Sequence, residues 1–267
     1  HMAAQALVLD SYENPIETFE TNLMGTVNIL DAIRDSSSVK VFINVTSDKC
    51  YENKEKLNAF KEDDAMGGAD PYSASKSCSE LITTSYRTSF FNESVNIATA
   101  RAGNVIGGGD WAANRIIPDF IKKINQNQKI AIRNPTAIRP WQFVLEPLNG
   151  YLILAEKLFL KGSSYAEAWN FGPDSQDDKT VEWLISEFDK EYIGGGNVEI
   201  AENSGLPQEA NYLKLDCSKS RKRLNWNPKL DIEKTISMTS AWYKNFYKED
   251  QDMYSLSVDQ INQFNSL

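Results

Sequence analysis

The chain has 267 residues, 41% of them hydrophobic and 24% charged, which suffices to bury one large core, or a core and a smaller lobe. A formal net charge of −9 with scattered lysines and arginines argues against a nucleic-acid surface, and KSRKR at 219–223 reads as a solvated helix face. His1 is the only histidine, so Ser-His-Asp or Cys-His chemistry would rest on the first residue, while Cys50, Cys78 and Cys217 lie too far apart for a zinc site.

Residues 15–34, PIETFETNLMGTVNILDAIR, have a proline near the start and Ile16, Phe19, Leu23, Val27 and Leu30 at helical spacing, which predicts an amphipathic helix. VKVFINVTS at 39–47 is a β-branched and aromatic run that suits a buried strand, and 52–70, with GG at 67–68, reads as a loop. A long helix is expected from Pro71 or Tyr72 to Phe91, then a second strand over VNIATARAGNVIG at 95–107. Strand, crossover-length helix and strand in that order argue for an α/β fold with a parallel sheet. Beyond Gly107 a glycine-rich loop and helix precede a short strand, KIAIRNP at 129–135, and a helix, PLNGYLILAEKLFLKG, at 147–162. A strand at 168–173, a helix at 180–192 and a last clear helix at 231–248 follow, with 249–267 a polar tail expected to fray. No apolar run approaches the length of a membrane span, and the thiols fit a reducing cytoplasm, so a cytoplasmic protein with no metal site is expected.

In open parallel sheets, ligands collect beyond the carboxyl ends of the strands. There stand VTSDKCY at 45–51 and RAGNVIGGGD at 101–110, and between them DPYSASK at 70–76 opens the crossover helix. Tyr72 and Lys76 are one helical turn apart, and a cation beside a phenol favours phenolate, a base usable near neutrality. The spacing alone favours the plainer reading, an ordinary i,i+4 Tyr-Lys pair on a wet helix, because a two-residue motif is common.

Together VTSDKCY, DPYSASK, RAGNVIGGGDWAANRIIPD and RPWQFVLEPLNGYLILAE resemble the extended short-chain dehydrogenase/reductase family over residues 1 to about 245. Lys49 stands where other nucleotide-sugar dehydratases of that family have the acid of an Asp-Glu pair, and points to the CDP-glucose 4,6-dehydratase branch. The resemblance implies a partial Rossmann-like NAD domain in 1–107 and 140–172, and a smaller α+β nucleotide-sugar lobe in 108–139 and 173–248. It further implies that Tyr72 takes the 4-hydroxyl proton of CDP-glucose while NAD takes the hydride, and that Lys76 holds the nicotinamide ribose. Ser47 would hydrogen-bond the 4-oxygen, and Asp48 with Lys49 would assist loss of the C5 proton and the 6-hydroxyl. Ala3, Ala4 and Gln5 would lie against NAD, with Asn22 supporting the site, and Asn104, Arg115, Arg139 and Trp141 would hold the nucleotide diphosphate and base. Each has a plainer rival role: turn capping for Ser47 and Asp48, solvation for Lys49, loop hydrogen bonding for Asn104, surface charge for the arginines and core filling for Trp141. Members commonly have His at the position of Phe143 and Arg at that of Leu9.

Dinucleotide binding of this kind uses a strand, a Gly-rich turn and a helix N-terminus. No such turn precedes the catalytic segments, and GGGD at 107–110 and GGGN at 194–197 lack that context. The opening HMAAQ resembles the end of the family's fourth strand, so two βαβ units of ~30 residues each are expected to lie outside this chain, and NAD binding to be weak. His1 is then either an internal residue or the remnant of an expression tag. The expected activity is dehydration of CDP-glucose to its 4-keto-6-deoxy product, as in surface-polysaccharide biosynthesis. The alternatives are a non-catalytic fragment that keeps the sugar-nucleotide pocket or a dimer surface, and, further off, an epimerase or reductase. The helices at 15–34 and 71–91 resemble those of the family's dimer, so a homodimer or larger assembly is expected.

Overall fold

The computed structural model describes residues 1–55, 58–91, 94–132, 134–200 and 210–267. Its helices are α1 (Val8–Glu13), α2 (Pro15–Phe19), α3 (Gly25–Arg34), α4 (Pro71–Phe90), α5 (Ile116–Ile124), α6 (Leu145–Lys161), α7 (Val181–Ile193), α8 (Ser218–Leu224), α9 (Ile232–Phe246) and α10 (Met253–Asn265). The strands are β1 (Val41–Val45), β2 (Asn96–Ala102), β3 (Val105–Ile106), β4 (Ile130–Ile132), β5 (Ile138–Pro140), β6 (Gln142–Phe143), β7 (Ala168–Phe171), β8 (Asp178–Thr180) and β9 (Val198–Ile200). The chain forms two compact units.

The first unit comprises His1–Gly103, Pro147–Gly172 and Leu213–Asn227. Its sheet is parallel, in the order β1-β2-β7, with Val41 beside Asn96 and Thr99 beside Ala168. On the far side of β1 the ladder continues for one residue, since the His1 ammonium donates to Ile43 O at 2.9 Å and Val45 N donates to His1 O at 3.0 Å. Because successive strand residues face opposite ways, Phe42 and Ile97 pack with Leu30, Ile33 and Phe91, while Ala98 and Ala100 pack with Leu154, Leu158, Trp169 and Phe171. β2, covered on both faces, reads as the nearly continuous buried run expected of a central parallel strand.

The predicted helix at 15–34 is built from α2, a π-helical turn at Glu20–Met24 and α3. Its buried face differs from the apolar stripe. Thr18, Asn22, Thr26, Leu30 and Ile33 are buried, whereas Ile16 is exposed and Phe19, Leu23 and Val27 are half-buried. Four residues overshoot a full α-helical turn, and the wider π turn takes some of that rotation back, which keeps Thr18, Asn22 and Thr26 in line. Residues 213–227 also depart from expectation, belonging with the sheet rather than the lobe. Ser220 Oγ donates to Asn170 O at the end of β7, and Leu224 and Trp226 join the Trp169–Phe171 cluster.

The second unit comprises Asn104–Glu146, Pro173–Tyr212 and Pro228–Leu267. Three short strand pairs, β3–β6 and β4–β9 parallel and β5–β8 antiparallel, frame a core of Ile117, Phe120, Leu184, Phe188, Ile236 and Tyr243. In GGGD, Gly108 lies against the Trp242 ring, so close that a Cβ would fall 2.0 Å from it; that run is a packing turn. In GGGN, Gly194 ends α7 in the left-handed region at φ 93°. The tail does not fray. Asp252 caps α10 by accepting from Tyr254 N at 3.0 Å and Ser255 N at 3.2 Å, and Phe264 is buried with Phe143, Leu230 and Met238. Phe143 is thus a core side chain.

Candidate active site

At the carboxyl end of β1 the chain turns through Thr46 and Ser47 into a 3₁₀ turn at Asp48–Cys50. Ser47 caps this turn, its Oγ accepting from Lys49 N at 3.2 Å and donating to Asp48 Oδ1 at 3.1 Å. Both side chains are buried. The turn lies against α4, where Ser77 Oγ donates to Cys50 O at 2.8 Å and Gly67 O at 2.7 Å.

α4 starts at Pro71 behind Asp70, whose carboxylate accepts from Ser73 N at 2.8 Å. Tyr72 N donates to the buried Ser11 Oγ of α1 at 3.2 Å, which fixes the first turn. Tyr72 and Lys76 are 8% and 6% exposed, so they are not a solvated pair, and the Lys76 ammonium stands 6.0 Å from the centre of the Tyr72 ring. Burial lowers the Lys76 pKa to about 8, against the upward pull of Glu80 and Cys50.

The amino-terminal segment meets this helix through Asn22, in the π turn. Asn22 accepts from Gln5 N at 2.8 Å and donates to Gln5 O at 2.9 Å and to Ser75 Oγ at 2.9 Å. Gln5 Nε2 in turn donates to Thr18 Oγ1 at 2.8 Å. Ala3 and Ala4 lead into this junction, Ala3 exposed and Ala4 half-buried. The first unit therefore brings Gln5, Asn22, Ser47, Asp48, Lys49, Tyr72 and Lys76 to the carboxyl end of one parallel sheet and the helix packed on it.

Beneath them lies a buried polar network that hydrophobic periodicity does not reveal. Glu80 and Arg101, 1% and 0% exposed at the side chain, pair through Nε–Oε1 at 2.9 Å and Nη2–Oε2 at 2.8 Å. Burial alone would lower the Arg101 pKa, but the hydrogen-bonded Glu80 carboxylate holds it well above the ordinary arginine value. Arg101 Nη1 donates to Tyr51 OH at 2.8 Å, and that hydroxyl donates to Asn170 Oδ1 at 2.6 Å. One sequence signal for it was available: an arginine inside a strand of mostly small apolar residues, NIATARA, demands a buried partner.

The second unit carries the other predicted group. Asn104 O accepts from Gln142 N at 3.0 Å. Arg115, 43% exposed at the side chain, pairs with Asp110 at 2.9 Å. Arg139 is buried and donates to Ile138 O at 2.9 Å. Trp141 is a core residue whose indole N–H donates to Lys179 O at 3.0 Å. The cysteines are unpaired thiols, and burial raises those of Cys50 and Cys217. Among the described residues no helix is long and apolar enough to cross a membrane.

A model of the GDP-mannose 4,6 dehydratase family matches residues 1–239, most of the chain. The chain belongs to that family. Within it, the chain is 45% identical over 272 residues to the CDP-glucose 4,6-dehydratase of Salmonella typhimurium, an alignment that covers 100% of this chain and 75% of the relative. A dTDP-glucose 4,6-dehydratase of Xanthomonas campestris is 24% identical over 91% of this chain and 71% of its own length. Among solved structures, a UDP-glucuronic acid 4-epimerase from Bacillus cereus superposes with a TM-score of 0.80 at 20% identity, over 92% of this chain and 75% of that one. A dTDP-glucose 4,6-dehydratase from Streptomyces venezuelae gives 0.79 at 19% identity, over 94% and 75%. These likenesses establish the α/β fold with its parallel sheet.

Proposed function

We propose that the chain is the catalytic and sugar-nucleotide part of a CDP-glucose 4,6-dehydratase, a lyase that forms CDP-4-keto-6-deoxyglucose with NAD. The observation that carries this reading is the 45% identity to such an enzyme over 100% of this chain and 75% of that one. Lys76 fits the cofactor: its side chain is buried beside the Tyr72 ring, and its ammonium is a donor suited to a ribose hydroxyl. Ala3, Ala4 and Gln5, steadied by Asn22, would line the same group. NAD, when bound, supplies a hydride acceptor at sugar C4 and returns the hydride to C6.

The residues divide the remaining work. Tyr72, as phenolate, removes the 4-hydroxyl proton, and the Lys76 charge stabilises the phenolate. Ser47 donates to the 4-oxygen and orients the sugar. Once C4 is a ketone the C5 proton is acidic; Asp48 and Lys49 share its removal and the protonation of the 6-hydroxyl, which leaves as water. In the second unit Arg115 meets the diphosphate, with Asn104, Arg139 and Trp141 shaping the nucleotide side. The half-buried and exposed apolar residues Ile16, Phe19, Leu23 and Leu81 suit a homodimer in the cytoplasm, and the product suits surface-polysaccharide synthesis.

Single-turnover absorbance at 340 nm with CDP-glucose and NAD, in the full-length protein with its upstream cofactor half, tests this reading. Tyr72→Phe is expected to slow sugar oxidation by ~10²–10⁴-fold with CDP-glucose affinity nearly unchanged. Asp48→Asn is expected to let the 340 nm signal rise while elimination stalls. Turnover of Tyr72→Phe at the wild-type rate overturns the assignment.

A further inference from the structure

We propose that the buried Glu80–Arg101 pair is a positioning device for the elimination step: it clasps the turn carrying Ser47, Asp48 and Lys49 at both ends, through Thr46 and Tyr51, and sets it against the helix carrying Tyr72 and Lys76. The proposal rests on the dehydratase reading for the meaning of the turn, but its geometry stands apart from that reading.

Thr46 is the residue before Ser47, and its Oγ1 donates to Glu80 Oε1 at 2.5 Å. Tyr51 is the residue after Cys50, and its hydroxyl accepts from Arg101 Nη1 at 2.8 Å. The two ends of the turn are therefore held by opposite partners of one ion pair. Glu80 lies four residues beyond Lys76 on α4, so the same carboxylate ties the turn to the helix of the proposed base.

The clasp has little freedom. Glu80 Oε1 takes Thr46 and Arg101 Nε, and Oε2 takes Thr99 Oγ1 at 2.7 Å and Arg101 Nη2, so both carboxylate oxygens are doubly engaged. A bidentate guanidinium fixes angle as well as distance. Arg101 Nη1 also donates to Glu62 O at 3.1 Å, and the Tyr51 hydroxyl is completed by Asn170. Stability is a poor reason for such an arrangement, because a buried ion pair is often no more stable than apolar residues of the same volume. Geometry is the better one: elimination needs an acid and a base set on adjacent carbons, and a displacement of ~1 Å costs on the order of 10²-fold in rate.

Thr46→Val and Tyr51→Phe each remove one end of the clasp while keeping shape, and Thr46→Ser retains the hydroxyl. In the two deletions, kcat for dehydration is expected to fall roughly tenfold or more with KM within about twofold, the 340 nm signal building up before elimination. Thr46→Ser is expected to stay within roughly threefold of wild type. Independently of turnover, the Lys49 and Cys50 amides should exchange with solvent roughly tenfold faster in Thr46→Val and Tyr51→Phe, while those of β2 and the middle of α4 keep their protection. Wild-type elimination together with wild-type exchange in the turn overturns the clasp, as does loosening spread equally over β1, β2 and α4. A full-length wild-type protein that does not dehydrate CDP-glucose would refute the dehydratase reading instead, and the exchange experiment with its Thr46→Ser rescue would still decide the clasp.

Discussion

Replacing Lys76 by Met is expected to stabilise the protein while abolishing its chemistry. Lys76 is buried, and its pKa drops from the usual lysine value of 10.5 to about 8 because burial disfavours the charged form. One pKa unit corresponds to about 1.4 kcal/mol, so keeping this ammonium charged in the folded state costs about 3 kcal/mol at neutral pH. Met has a similar stem and no charge to desolvate. The pH dependence follows from the direction of the shift. Below pH 8 both folded and unfolded chains hold the proton, and the cost is present in full. Between about 8 and 10.5 the unfolded chain binds more protons, so wild-type stability rises with pH, and above 10.5 the difference vanishes. Urea denaturation of both proteins at pH 7, 9 and 10.5 isolates this term, since other titrations cancel in the difference. The reasoning fails if Lys76→Met is less stable than wild type at pH 7, or if its advantage does not shrink toward pH 10.5.

Arg101→Met leaves the Glu80 carboxylate buried and is expected to cost about 3–5 kcal/mol in urea denaturation, with most of it recovered in the double variant Glu80→Gln/Arg101→Met. Equal losses in the single and double variants would refute that account. Gly108→Ala forces the Trp242 ring to move and is expected to cost about 1–3 kcal/mol, read from the same denaturation curves; a neutral result would show that the ring yields freely. Light scattering at micromolar concentration is expected to give a dimer or larger assembly, because the apolar positions of α2, α3 and α4 that the first unit leaves exposed or half-buried suit a second copy. A clean monomer counts against it.

Local information decided a good deal. The alternation of apolar strands with helices predicts the parallel β1–β2 pair and its crossover α4, and Asp70 with Pro71 marks the start of that helix. VTSDKCY and DPYSASK stood out because polar groups at strand and helix ends need no distant partner to be conspicuous, while the roles proposed for them came from the family resemblance. The burial of α4 was a different matter. Its buried face is Tyr72, Ser73, Ser75, Lys76, Ser77, Ser79, Glu80 and Thr83, while Leu81 is exposed, so apolar periodicity points away from the packed side. The same holds for Thr18, Asn22 and Thr26. These surfaces are joined by hydrogen bonds such as Asn22–Ser75 at 2.9 Å and Asn44–Thr83 at 2.9 Å, each between residues far apart in the chain. Hydrophobic burial leaves a periodic trace in sequence because any apolar neighbour satisfies it, whereas a buried hydroxyl, amide or charge needs one specific partner at one distance and angle. That partner is chosen by the tertiary fold, and so Glu80, Arg101, Thr46 and Tyr51 came together only in three dimensions.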